Sequence, residues 1–209
     1  MQEITIRALT PELEGAYLDF FDHRAFSDGS PYYPCYCSAF NMSASGIGEM
    51  RELAAAYGGG TEGWKQAQRE TAARMVREGR IRGCLAFAGG IAVGWCNAND
   101  RTSYYRVGEF DLDHVPPDRF PDGVRAGQIR SVVCFEISPG YRGQGIASML
   151  LSRVCGDAGA EGYEFVEAYP SEKAQPALAF TGPIALYRKM GFTEFSRSGD
   201  TIVMRKRLP

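Results

Sequence analysis

The sequence predicts one mixed α/β (α+β) domain over residues 1–209, built from helices and short strands. Three observations predict this class. Apolar runs of strand length recur along the chain, stretches with helical spacing of apolar residues lie between several of them, and turn residues separate the two patterns. The chain is 44% hydrophobic and 23% charged, which is ordinary for a globular protein that buries a core. No internal repeat or domain boundary is evident.

The first part of the chain is predicted to form one strand and three helices. Residues 3–9 alternate between apolar and polar side chains, as a half-buried strand does. A helix over 11–26 follows, because Thr10 is a good N-cap residue and apolar side chains then recur on one face. Two further helices are predicted over 47–57 and 62–79.

The remaining elements are mostly strands. Gly89-Gly90 predicts a tight hairpin turn between two apolar runs. The helix that begins at Ile146 follows a long apolar strand, and a second, shorter helix lies near the end of the chain. The predicted strands are 83–88, 91–98, 129–138, 163–169, 192–197 and 201–208, and the predicted helices are 146–158 and 182–190.

Charge and hydropathy exclude several classes of protein. The formal net charge of −2 does not favour binding to nucleic acid or to an anionic membrane. The longest apolar stretch, Cys84 to Cys96, is too short to span a bilayer as a helix and carries three glycines. The first residues do not read as a signal peptide. A cytoplasmic location is therefore expected.

The turn between the strand at 129–138 and the helix at Ile146 carries the strongest functional signal. It contains Gly140, Gly143 and Gly145, and helix N-termini with free amides attract phosphate. The spacing is not that of a nucleotide P-loop, because no lysine and hydroxyl pair follows the last glycine, and it does not fit the dinucleotide fingerprint. Small residues here let backbone amides approach a pyrophosphate.

Two motifs together resemble a known family. Arg142-Gly143-Gln144-Gly145-Ile146-Ala147, after a strand ending Ile137-Ser138-Pro139, is similar to the acyl-CoA loop of the GNAT superfamily of N-acetyltransferases. Downstream, Leu186-Tyr187-Arg188-Lys189-Met190-Gly191-Phe192 resembles the family's short helix ending Tyr-x-x-x-Gly-Phe. The resemblance is specific over about 83–208, and before residue 83 it rests on the order of elements.

The resemblance implies a GNAT fold, with a mixed, mostly antiparallel central sheet that is splayed at the cofactor groove and flanked by helices. Acetyl-CoA would lie where the strands 129–138 and 163–169 part. Its pantetheine arm would pair with the edge from Phe135 to Ile137, and a backbone N–H near Cys134 or Phe135 would polarise the thioester. The pyrophosphate would be bound by the cofactor-binding residues Arg142, Gly143, Gln144, Gly145, Ile146 and Ala147. Tyr187 would be the catalytic acid that protonates the CoA thiolate.

Two positions depart from the family pattern. Near the position of Ser131, several family members carry a glutamate that orders a water to accept the proton of the amine, and serine is not a base. At the position of Phe180, many members carry an asparagine. Glu136 is another candidate for the base, but its face on the strand decides whether it meets the acceptor. His114 and carboxylates of the 99–128 segment, or a water chain, are alternatives.

Two insertions, at about 28–60 and 99–128, are predicted to form the acceptor side, with the aromatic residues between Tyr32 and Phe40 near the pocket.

Cys35-x-Cys37 is too small a set for a zinc site, and no metal is expected. Four other cysteines are expected as buried thiols. The charges of Arg205-Lys206-Arg207 are predicted to lie solvated on an edge strand.

These observations favour an enzyme that moves an acetyl group from acetyl-CoA to a primary amine of a small-molecule acceptor by direct attack. A non-catalytic acyl-CoA sensor, transfer of another acyl group and transfer to a protein amine are alternatives. Dimers are common among the relatives that the resemblance implies, but no feature of the sequence specifies a homodimer surface.

Overall fold

The computed structural model describes residues 2–30, 32–107, 110–111, 126–172, 180–198 and 200–209. Over these residues the chain forms an open sheet with helices on both faces. The strands are β1 (Ile4–Ala8), β2 (Gly83–Ala88), β3 (Ile91–Asp100), β4 (Arg106–Val107), β5 (Phe110–Asp111), β6 (Ile129–Ile137), β7 (Phe165–Ala168), β8 (Thr193–Ser198) and β9 (Thr201–Arg207). The α-helices are α1 (Glu14–His23), α2 (Ala44–Ala56), α3 (Gly60–Arg77), α4 (Ile146–Ala160) and α5 (Ile184–Lys189).

The main sheet has seven strands in the order β1-β2-β3-β6-β7-β9-β8, and β4 pairs only with β5. Neighbours are antiparallel except β6 and β7, which run parallel. A parallel pair needs a crossover, and α4 supplies it. The predicted mixed, mostly antiparallel sheet flanked by helices is confirmed.

Alternation along the strands divides the core between the two faces of the sheet. One face packs Trp95 and Cys134 against the side chains of α1 and α3. The other packs Phe135 and Val166 against Leu150 of α4. Successive strand residues point to opposite faces, so Cys134 and Glu136 lie on the α1–α3 face, whereas Phe135 and Ile137 lie on the α4 face.

Strands β6 and β7 separate part of the way along β6. Their pairing runs from Ile129–Phe165 to Val132–Ala168 and stops because β7 ends there. The register between β3 and β6 slips at the same level, since Asn97 pairs with Cys134 and Ala98 with Val132. Val133 is the extra residue of this bulge, and a bulge bends its strand. The predicted splay between these two strands is confirmed.

A glycine of β3 allows α4 to approach the sheet beside this opening. A Cβ on Gly94 would lie 2.9 Å from Cδ1 of Ile137 and 3.1 Å from Cγ2 of Ile146. Ile146 is the first residue of α4, so the missing side chain at Gly94 sets how deeply the helix N-terminus sits against β6.

The predicted elements agree with the observed ones within a few residues, including the hairpin at Gly89-Gly90. Two expectations were wrong in detail. The strand after the hairpin continues to Asp100, so residues 99 and 100 belong to this strand and not to the predicted 99–128 insertion. The charges at 205–207 do not lie on an edge strand, because β9 is flanked by β7 and β8, and Arg205 is buried. Within the described residues, no helix is both long enough and apolar enough to cross a membrane.

Replacing Gly94 with valine is expected to lower the free energy of unfolding by about 1–3 kcal/mol, because the added methyl groups overpack Ile137 and Ile146. Thermal and urea unfolding measure the change. Gly48→Ala is the control, since a Cβ at this position in α2 meets no atom within 4 Å. It is expected to raise stability by about 0.5–1 kcal/mol. Equal effects of the two changes would contradict the packing argument.

Candidate active site

An open cleft of about 230 Å³ lies beside the part of β6 that extends beyond its pairing with β7. Its lining comes from four parts of the chain: the end of β6, the turn before α4, the segment before α5, and the segment that follows α1. The lining residues are Ser30, Tyr32, Phe135, Glu136, Ile137, Arg142, Ala147, Phe180, Gly182 and Pro183. Four of the predicted site residues, Phe135, Ile137, Arg142 and Ala147, therefore meet in this cleft.

The turn at Gly143 and Gly145 leaves the N-terminus of α4 free of a side-chain cap. Gly145 is the N-cap residue and has a left-handed backbone with φ of +81°, and Gly143 has φ of +75°. No atom lies within 4 Å of a Cβ built on either glycine, so the space beside the turn is open. The amides of the first turn have no partner within the helix and carry the positive end of its dipole.

Arg142 is held by groups of the protein itself. Its Nε donates to the Ile137 carbonyl at 3.0 Å, and Nη1 donates to Asp28 at 2.5 Å. Nη2 lies 3.4 Å from Oε1 of Glu136. The side chain thereby joins the segment after α1 to the end of β6. Gln144 donates to the Gly140 carbonyl at 3.1 Å, so it too is engaged within the turn.

Glu136 lies on the α1–α3 face, opposite Phe135, and its side chain is only 12% exposed. It pairs across the sheet with Trp95, whose ring belongs to the same core. Burial raises the pKa of the Glu136 carboxyl to about 7, although the Arg142 guanidinium lowers it. A carboxylate with this pKa can gain or lose a proton near neutral pH.

Tyr187 is fully buried on α5, and its ring packs against Phe135 with centroids 6.4 Å apart. The hydroxyl donates to the carbonyl oxygen of Thr181 at 2.5 Å. Burial raises the pKa of this phenol well above its usual value, so it stays protonated. The Phe135 amide is also engaged, since it donates to the Phe180 carbonyl at 2.6 Å.

Ser131 contributes to a buried polar network that the sequence did not indicate. It pairs across the sheet with Glu167 of β7, and its hydroxyl lies 2.7 Å from that of Tyr169. Tyr169 donates to Glu167 at 3.0 Å. The Glu167 carboxylate also accepts from Arg101 at 2.9 Å and from Arg205 at 2.6 Å. The two guanidiniums beside Glu167 thus hold its carboxylate in buried ion pairs.

The aromatic segment from Tyr32 to Phe40 contacts the lining of the cleft at Phe180. The Tyr32 ring contacts that of Phe180 edge-on with centroids 5.1 Å apart, and the Phe40 ring lies 6.1 Å from Phe180. Asn97 holds the middle of this segment by donating to the Cys37 carbonyl at 3.0 Å.

The six cysteines are free thiols. Among the side chains that the structure describes, no group of three or more His, Cys, Asp or Glu could hold a metal ion. His114 and the carboxylates predicted as alternatives at 109–122 lie outside the described side chains.

Comparison with known proteins identifies the family. Residues 48–192 match the family model described as the acetyltransferase (GNAT) family. No curated protein matches the chain significantly in sequence.

Solved structures with the same fold cover nearly the whole chain. The PaiA N-acetyltransferase of Thermoplasma acidophilum, in complex with coenzyme A, is 13% identical with a TM-score of 0.54, covering 98% of this chain and 99% of its own. YncA, a putative acetyltransferase of Salmonella typhimurium with its cofactor acetyl-CoA, is 14% identical with a TM-score of 0.52, covering 99% and 94%. The GNAT domain of S. lividans PAT is 16% identical with a TM-score of 0.55, covering 97% and 89%. The family model spans more than half of the chain, and the chain belongs to the GNAT family of acetyltransferases.

Proposed function

We propose that the protein transfers an acetyl group from acetyl-CoA to a primary amine of a small-molecule acceptor. The observation that carries this proposal is the edge of β6 beyond Val132, where the pairing with β7 ends beside a helix N-terminus that has no side-chain cap. A strand edge binds an amide-containing arm, and the helix N-terminus binds a pyrophosphate. The coenzyme A and acetyl-CoA bound to two proteins of the same fold support this choice of donor.

The proposed donor site uses the residues that the sequence motifs singled out. The pantetheine arm lies along Phe135 to Ile137, and the pyrophosphate lies on the amides of residues 142–147. The Phe135 amide polarises the thioester carbonyl, so that the tetrahedral intermediate is stabilised by a donor fixed in the sheet. Tyr187 donates to the sulfur and protonates it as the thiolate leaves.

The proposed acceptor site lies on the α1–α3 face, where Tyr32 and Glu136 line the cleft. We assign to Glu136 the removal of a proton from the attacking amine, because it is the carboxylate that lines the cleft in the described part of the chain. Its raised pKa matches this task, and Ser131 and Glu167 are committed to the buried network. The rings of Tyr32 and Phe180 favour an acceptor with an apolar body.

A second function remains a candidate because the Phe135 amide and the Tyr187 hydroxyl are both engaged by carbonyls of the chain. A non-catalytic acyl-CoA sensor would need neither group for chemistry. A thiol-release assay over a panel of amines, run beside calorimetry with acetyl-CoA, separates the two. Release with at least one amine supports the transferase, binding without release supports the sensor, and absence of binding contradicts both.

Replacing Gly145 with alanine is expected to weaken coenzyme A binding at least tenfold. The φ of +81° strains any residue with a Cβ by about 1–2 kcal/mol, and the methyl group enters the space proposed for the pyrophosphate. Calorimetry measures the affinity. Gly140→Ala is the matched control, because this glycine lies in the same turn without a left-handed φ or a close neighbour. Equal affinities of the two variants would contradict the placement of the pyrophosphate.

Replacing Tyr187 with phenylalanine is expected to lower kcat by about 10²-fold or more, without raising the dissociation constant of coenzyme A. The ring that packs on Phe135 is retained, and only the proton donor is lost. Steady-state kinetics with a verified amine, together with calorimetry, give both quantities. Unchanged turnover would remove the acid role from Tyr187.

The proposed role of Glu136 as the base predicts how kcat/KM depends on pH. A base must be deprotonated, so kcat/KM is expected to rise with pH and to level off above about 7, the pKa of Glu136. Glu136→Gln should lower the plateau and remove this limb of the profile. An amine acceptor titrates as well, so the comparison uses the same amine with both proteins. A limb that persists in the variant would assign it to the amine and not to Glu136.

A further inference from the structure

Two consecutive carbonyl groups of one segment engage the Phe135 amide and the Tyr187 hydroxyl, the two groups to which the proposed function gives chemistry at the donor site. We call Phe180, Thr181 and Gly182 the capping segment. The Phe180 carbonyl accepts from the Phe135 amide at 2.6 Å. The Thr181 carbonyl accepts from the Tyr187 hydroxyl at 2.5 Å. The inference that follows rests on the proposed function, because it concerns the regulation of the same donor site.

The capping segment also fills the space beside these two groups. A Cβ built on Gly182 would lie 3.0 Å from the Tyr187 hydroxyl and 3.3 Å from the Phe135 ring. The glycine has a left-handed φ of +81°, which turns the chain from the Thr181 carbonyl toward Pro183. A thioester carbonyl at the Phe135 amide would therefore need the position that the Phe180 oxygen holds.

An aromatic contact holds the capping segment in place from the acceptor side. The half-buried Phe180 ring packs edge-on against the Tyr32 ring. The Phe40 ring also packs against Phe180, with the two ring planes at 43° to each other. Both partner rings belong to the segment after α1, which lies on the opposite side of the cleft from α4. Offset and edge-on arrangements of rings are the favourable ones. The rings thus favour the conformation in which the two carbonyls stay on their donors.

We propose that the capping segment is an internal competitor of the acyl donor, and that Phe180 sets how strongly it competes. Its carbonyls take the place of the thioester oxygen at Phe135 and of the sulfur at Tyr187. Acyl-CoA binds when the segment withdraws, so the apparent dissociation constant equals the intrinsic constant divided by the fraction of protein in which the segment has withdrawn. Weakening the aromatic contact raises that fraction and tightens binding.

The test is calorimetry with acetyl-CoA on the full chain and on two variants. Phe180→Ala removes the ring of the capping segment but keeps its backbone, and Phe40→Leu weakens the contact from a residue outside the cleft lining. Each is expected to lower the dissociation constant of acetyl-CoA by about three- to tenfold. Tyr57→Ala is the control for the loss of a ring, because this side chain is exposed at the end of α2 and contacts Glu70. It should leave the affinity unchanged.

A spectroscopic readout follows the segment directly. The scalar coupling across the hydrogen bond from the Phe135 nitrogen to the Phe180 carbonyl carbon should be present in the free protein and absent when acetyl-CoA is saturating. Persistence of this coupling in the complex would overturn the proposal, and so would equal affinities of the parent and of both variants when all of them unfold cooperatively. If neither the parent nor the variants bind acetyl-CoA, the proposed function falls, and this inference falls with it.

Discussion

The loss of pairing between β6 and β7 beyond Val132 is the constraint on which the rest of the site depends. Over five residues of a central strand, from Val133 to Ile137, the pairing with β7 no longer continues in the described part of the chain. Their backbone groups need partners, because unpaired buried amides are costly. The bulge at Val133 bends the strand just beyond its last pair with β7, and the capping segment supplies a carbonyl for Phe135. A ligand with amide groups is the natural alternative partner for such an edge.

The two faces of β6 divide the proposed chemistry between them. Phe135 and Ile137 point toward α4 and Tyr187, which is the side on which the donor is proposed to lie, whereas Glu136 points toward α1 and the acceptor side. Arg142 joins the two sides, because one guanidinium contacts Asp28, Glu136 and the Ile137 carbonyl.

Buried ion pairs anchor β7, the strand that ends early. Glu167 of β7 pairs with Arg205 of β9 and with Arg101. Removing one partner of such a group typically costs about 3–5 kcal/mol, because the other charge stays buried and unpaired.

Local patterns in the sequence predicted the elements and the turn before α4, because glycine pairs, capping residues and apolar periodicity act over a few residues. The face on which Glu136 lies was not predictable, since it depends on the register of β6 with β3 and on the bulge at Val133. Arg205 was wrongly placed on a solvated edge for a similar reason: β8 pairs outside β9, which the order of elements does not reveal. The contacts of Phe180 with Tyr32 and Phe40 join residues about 140 positions apart, so no local signal reports them.

The structure of the protein with acetyl-CoA bound at saturation tests the central claim most directly. The account predicts the pantetheine arm along Phe135 to Ile137, the pyrophosphate on the first turn of α4, and the thioester oxygen within hydrogen-bonding distance of the Phe135 amide in place of the Phe180 carbonyl. Acetyl-CoA bound elsewhere on the protein, with the Phe180 carbonyl still on the Phe135 amide, would contradict it.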